Sequence, residues 1–189
     1  MIYRPMRPMC AAAIALMTAL PALAQPVEQR DLDRLGSDKV EQVQSARSSI
    51  ITAISNPQMA VGDRLQASSQ LIEPVRALIE SGEENQIVNG LMIAGSIVTP
   101  EAIGLIESTY ASEIPGVRYA AMRALRTSFR ILGDQRTPSL QTQEVARQLK
   151  TAGEILRTDS DAYVAEGAAR ALTQAAKMSD NRLAASAEA

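Results

Sequence analysis

Between Ile114 and Leu132 the chain reads IPGVRYAAMRALRTSFRIL. At about 100° per residue, Val117, Ala120, Ala121, Ala124, Leu125, Ser128, Ile131 and Leu132 share one apolar face. Arg123, Arg126 and Arg130 gather on the opposite, polar side. Pro115 suits the first turn of this helix, where its missing N–H is not needed, and Gly133 is placed to end it in a left-handed conformation. Alanines at the centre of the apolar face predict close approach by a neighbouring helix, which an all-leucine face would prevent.

The helical spacing recurs along the chain. Residues 25–36 are polar, with Leu32 and Leu35 as anchors, and read as a leader or frayed helix. Ser37 and Asp38 are placed to cap a helix carrying Val40, Val43, Ile50, Ile51 and Ile54. That helix ends at Asn56-Pro57, because a residue before proline avoids the helical region. Gln58 to Ile72 predicts another helix, through Val61, Leu65, Leu71 and Ile72; Pro74 then either kinks it or opens a short helix ending near Ser81-Gly82. Glu83 to Val98 resumes the pattern, and Thr99, Pro100 and Glu101 supply a cap, a first-turn proline and a first-turn acid for a short helix to about Tyr110. Thr137 and Pro138 repeat the device for a helix to about Arg157, carrying Leu140, Val145, Leu149, Ala152 and Leu156. Asp159-Ser160-Asp161 starts Ala162 to Met178, and residues 179–189 read as a flexible tail. No alternating β-branched and aromatic runs lie between hairpin turns, so the predicted class is all-α.

Four stretches align on their first aliphatic residue: VGDRLQASSQLI at Val61, IVNGLMIAGSIV at Ile87, VRYAAMRALRTS at Val117 and VAEGAARALTQA at Val164. Ser68, Ala94, Ala124 and Ala171 share one column, and Leu65, Leu91, Ala121 and Ala168 another. The spacing is irregular but falls within the roughly 20–50 residues of helical repeat units. Pro115-Gly116-Val117-Arg118, followed by Ala120-Ala121 and Ala124-Leu125, resembles the HEAT-repeat family, whose units often carry a proline, Val-Arg and an alanine-leucine face. Asp161 to Leu172 looks like a second copy, and Thr99-Pro100-Glu101-Ala102-Ile103 with Leu105-Ile106 resembles the second helix of such a unit. Of the family's arginine ladder only Arg118 has a match here, since Gly62, Val88 and Ala165 stand at the equivalent positions. The resemblance covers roughly residues 59–178. It implies a short α-solenoid of stacked antiparallel helical hairpins over residues 37–178, with the helices Val40 to Ile54 and Ala162 to Met178 as end caps.

Residues 1–24 change the expected compartment. Arg4 and Arg7 precede an apolar run from Met9 to Ala22, and Ala22-Leu23-Ala24 is an A-x-A-like cleavage site, the layout of a secretory signal peptide cleaved after Ala24. The run is shorter than the ~20 residues a membrane span needs, so a periplasmic or secreted chain without a span is expected. Cys10, the single cysteine, would leave with this segment. The formal charge is −2, and cleavage removes Arg4 and Arg7 but no acid. Such a chain lacks the basic footprint of a nucleic-acid binder. One Phe and four Tyr are few, so aliphatic packing must carry the core.

There is no histidine, and the mature chain would have no cysteine, which removes Ser-His-Asp and Cys-His catalysis and zinc ligation. Glu83-Glu84 and Asp159 with Asp161 are the densest carboxylates, but they sit at helix starts where acids complement the dipole. Gly90, Gly95 and Gly104 fall inside helical patterns, where close packing rather than a phosphate loop accounts for them. Neither a catalytic residue, a metal nor a cofactor is therefore expected. Met59, Met92 and Met122 are expected in the core, and Tyr110, Tyr119 and Tyr163 over joints between repeats. Arg123, Arg126 and Arg130 are the candidates for gripping an acidic protein partner. The expected function is a non-catalytic protein-binding adaptor or assembly subunit. The alternatives are a built-in component of a cell-envelope complex and a carboxylate-only hydrolase using Glu101 or Glu107.

Overall fold

A computed structural model describes residues 27–37, 39–56, 58–135 and 139–178. The expected signal peptide, the caps Asp38, Thr137 and Pro138, the break at Pro57 and the tail 179–189 lie outside the described residues. Among those described the chain is all-helical, with α1 (Gln29–Leu35), α2 (Val40–Ile54), α3 (Val61–Ile79), α4 (Glu84–Ile97), α5 (Pro100–Glu107), α6 (Pro115–Asp134), α7 (Thr142–Thr158) and α8 (Ala162–Ala175).

Named contacts fix how the helices run. Arg47 of α2 bonds Asn89 of α4, and the ends of both helices meet at Arg64. Ser128 of α6 donates to the Gly95 carbonyl of α4 at 3.0 Å. Gly167, early in α8, lies against Tyr119 and Met122 early in α6, while Met178 lies against Gly133 at the far end. Helices α2, α4, α6 and α8 therefore run parallel in one row, each packed on the next. Helix α3 is antiparallel to α4: its end, Val75 to Ile79, meets Gly90 at the middle of α4, and Arg64 near its start reaches the α4 carboxyl end. Helices α3, α5 and α7 make a second layer, α3 touching α5 and α5 reaching α7 through Glu107. One apolar cluster runs unbroken from Val27 through α4 and α6 to Met178.

Sequence positions explain where this core forms. A Cβ built on Gly95 would lie 2.6 Å from the Ala124 carbonyl oxygen, so α4 and α6 meet backbone to backbone, at the close approach that the alanine face of α6 predicts. Ala124 is 3 % exposed and Leu125 fully buried. Stretch 25–36, expected as a polar leader or frayed helix anchored by Leu32 and Leu35, contributes the helix α1, whose flanking Val27 and terminal Leu35 are both buried. Helix α4 ends on Val98, whose φ of 57° is left-handed, a conformation usually left to glycine; its side chain is completely buried, and that burial offsets the strain.

Several local expectations are corrected. Of the two alternatives at Pro74, a restart is excluded: α3 continues through it, because Val75, Leu78 and Ile79 beyond it are buried against α4. Gly133 does not end α6 in a left-handed conformation; it lies inside the helix, giving room for the Met178 side chain. Helix α7 begins at Thr142, later than expected, and Ser139 before it donates its backbone N–H and hydroxyl to Gln135 Oε1. Thr99 precedes α5 but makes no side-chain cap; its hydroxyl is buried against that of Ser68, 2.9 Å away. Leu65 is 53 % exposed, and the adjacent Arg64 points inward in its place. The aligned stretch at Val61 belongs to α3, in the other layer from α4, α6 and α8; Ser68 is buried like Ala94, Ala124 and Ala171 in its column, whereas Leu65 departs from the buried Leu91, Ala121 and Ala168 of its own.

Candidate functional site

The sequence places Arg123, Arg126 and Arg130 on one side of α6, and all three are solvent-exposed there. The helix holds them outward because its opposite face, from Val117 to Leu132, is locked between α4 and α8. The guanidinium of Arg123 lies 5.9 Å from the Tyr119 ring centroid, a cation–π distance. Among the described residues none of the three lies within ion-pair distance of a carboxylate. Other arginines are engaged: Arg76 with Glu73 and Glu80, Arg118 with Asp159, Arg147 with Glu107 and Glu144, and Arg170 with Glu166.

Two furrows flank this ridge. One, of about 340 Å³, lies between α6 and α8 and is lined by Tyr119, Arg123, Arg126, Gly167 and Arg170. The other, of about 230 Å³, crosses α4, with Met92 and Ser96 as floor, Ile51 and Ser55 on the α2 side, and Arg123 and Arg130 on the α6 side. Arg123 lines both. Met92 is half-buried rather than deep in the core, and the Ser55 hydroxyl is buried without a hydrogen-bond partner among the described residues. Only Met122 of the three expected core methionines is fully enclosed; Met59 and Met92 are partly covered.

Of the carboxylates named from sequence, Asp159, Asp161 and Glu107 are held in bonds that tie helices together or cap them. Asp161 caps α8, accepting from the backbone N–H of Tyr163 at 2.9 Å and of Val164 at 3.2 Å. Asp159 takes a two-pronged bond from Arg118, at 2.8 and 3.0 Å, and a third from the Asp161 N–H. The Arg118 bonds hold the Asp159 carboxyl below the usual range, and the same pairing raises Arg118. Glu101 is exposed in the first turn of α5. Glu107 and Glu144 share Arg147, at 2.8 Å each, and Gln148 donates to both. Gln148 in turn accepts from the Tyr110 hydroxyl at 2.8 Å, and burial, with Glu107 nearby, pushes that phenol up. This network ties α5 to α7. Among the described residues no group of three or more His, Cys, Asp or Glu is arranged to hold a metal ion. Tyr163, expected over a joint, is 73 % exposed.

Sequence reasoning missed Arg64. It is 2 % exposed, and Nη1 donates to the carbonyls of Ile54, Ser96 and Ile97 while Nη2 donates to that of Asn56, at 2.8 to 3.3 Å. Three of these carbonyls sit at the carboxyl ends of α2 and α4, which lack helical partners and carry the negative end of the dipole, and the fourth, Asn56, follows α2. Burial away from any carboxylate pulls the Arg64 pKa down. The available signal was its place on the inward stripe with Ser68, Leu71, Val75 and Leu78.

Among the described residues no helix is long and apolar enough to cross a membrane. Compared with protein-family models, curated proteins and solved structures, the chain matches none.

Proposed function

We propose that this chain is an exported, non-catalytic protein-binding adaptor or assembly subunit, built as a short HEAT-like α-solenoid. In this reading α1–α2, α3–α4, α5–α6 and α7–α8 are stacked helical pairs. The carrying observation is the parallel row α2, α4, α6 and α8, which presents unpaired arginines to solvent. A row of parallel helices backed by a second layer is what stacked antiparallel hairpins generate, and their open face supplies an extended contact surface. The Gly95–Ala124 seam and the single continuous core support a stiff scaffold for that surface. The signal-peptide pattern of residues 1–24 supports export to the periplasm or beyond, with cleavage after Ala24.

Mechanistically, the scaffold holds the arginine ridge in place, and long-range attraction raises the encounter rate with an acidic partner. The test is cross-linking of the tagged full chain in intact cells, followed by fractionation and identification of what is joined to it. The expected result is a mature chain in the envelope fraction, joined to one defined protein. An uncleaved chain in the cytoplasm would overturn export, and repeated failure to find a stoichiometric protein partner would overturn the adaptor reading.

A further inference from the structure

We propose that the two furrows beside α6 receive an extended acidic segment of a partner protein, which lies across α4, α6 and α8. Its carboxylates meet Arg123, Arg126 and Arg130, and one aliphatic side chain rests over Ile51 and Met92. This rests on the adaptor reading and adds the chemistry of the partner.

Three observations fix the occupant. The first is charge: in a chain of net charge −2, three arginines with no carboxylate within ion-pair distance among the described residues stand on one ridge, and no described acid lines either furrow. The acid nearest this site in the helix sequence, Glu166, is bonded to Arg170 at 2.6 Å. The second is shape. At about 230 and 340 Å³ the furrows hold side chains, not a helix of ~10 Å diameter. Because Arg123 lines both, a segment occupying both must pass over α6 in extended form. The third is the floor of the α4 furrow, where half-buried Ile51 and Met92 offer apolar surface beside the Ser55 hydroxyl, which has no protein partner among the described residues. An extended backbone brings the N–H and C=O groups that such a hydroxyl can bond.

A flat anionic membrane meets the same charge but not the same shape. The exposed large apolar residues Val40, Leu65, Ile114, Leu156 and Tyr163 line neither furrow, so this face has no apolar wedge to insert into lipid.

The test uses the full chain and a fluorescein-labelled peptide of alternating glutamate and glycine around one central leucine, followed by fluorescence anisotropy. Binding is expected, with the lysine version of the peptide failing to bind. Affinity should fall steeply as ionic strength rises from about 0.01 to about 1 M, which shortens the screening length from about 30 to about 3 Å. The triple variant Arg123→Gln, Arg126→Gln, Arg130→Gln should bind at least ~10-fold more weakly, while Arg157→Gln, on α7, binds as the parent does. Met92→Glu, and glycine in place of the peptide leucine, should each weaken binding. Circular dichroism melts matching the parent keep the triple variant interpretable.

Peptide affinity unchanged in the triple variant overturns the proposal, as does co-sedimentation with phosphatidylglycerol vesicles without peptide binding. A cross-linked envelope partner retained by the triple variant also overturns it, yet leaves the adaptor reading standing. Peptide binding through the arginines with no envelope partner found supports the site while removing the adaptor reading.

Discussion

Arg64 does the work at residue scale that its neighbour Leu65 was expected to do. Its four bonds to carbonyls of α2, α4 and the segment after α2 hold the carboxyl ends of two parallel helices together. A lysine keeps the charge but not the planar fork, so Arg64→Lys should lower unfolding stability by about 2–4 kcal/mol in urea denaturation. An unchanged midpoint would mean that the carbonyls are served another way. The stripe through Ser68 and Leu71 turns Arg64 inward, but nothing local in VGDRLQASSQLI names its acceptors, which lie 8 to 33 residues away. Thr99 is similar: its place before Pro100 predicts a cap, but Ser68 of another helix takes the hydroxyl. Asp159, in contrast, was legible as an acid at a helix start, though not as the partner of Arg118. Its pKa is depressed in the folded protein, so its contribution is present above the unfolded value of about 3.9 and is lost as pH falls through the folded one. Asp159→Asn should therefore melt below the parent at pH 7, with the gap closing below about pH 4. A gap independent of pH would assign the loss to packing rather than to the ion pair.

Among the elements, α6 was the most readable, from its proline start to its alanine-leucine face and its exposed arginines. Its partner across the seam was not readable, since Gly95 in isolation is only a glycine inside a helix. The seam gives opposite expectations for two glycines. Gly95→Ala drives a methyl into the Ala124 backbone and should cost about 1–3 kcal/mol, whereas Gly104→Ala, with nothing within 4 Å of the new carbon, should gain about 0.5–1 kcal/mol of helix stability. Calorimetry on the two variants checks the sign; if both stabilise, α4 and α6 are not in contact there. Ala124→Arg, which buries a charge in the same seam, should unfold the chain, as seen by circular dichroism. Gly133 shows why element ends were less legible: in the sequence it is a helix stop, and only Met178, packed on it from beyond α8, turns it into an interior position.

For the whole molecule the helical class and the single core follow from the spacing of apolar residues, but the inclusion of α1 does not, because its stretch is mostly charged. Deleting residues 27–36 removes buried Val27 and Leu35, at about 1.5–3 kcal/mol each, and should lower the melting temperature clearly. A truncated chain as stable as the parent would return this stretch to a dispensable leader. Among the described residues, extensive helix contacts join only helices adjacent or next but one in the chain, with α4 touching α2, α3, α5 and α6. Amide exchange should accordingly be slowest in α4 and α6 and faster in α1 and α7, as hydrogen-exchange mass spectrometry would register. The same short-range wiring bears on how the chain acquires its structure. Each helix finds its main partners within the next two helices made, so loop closures are short, the entropic barrier to each docking step is low, and assembly can spread outward from the α4–α6 seam at the fast rates typical of local topologies.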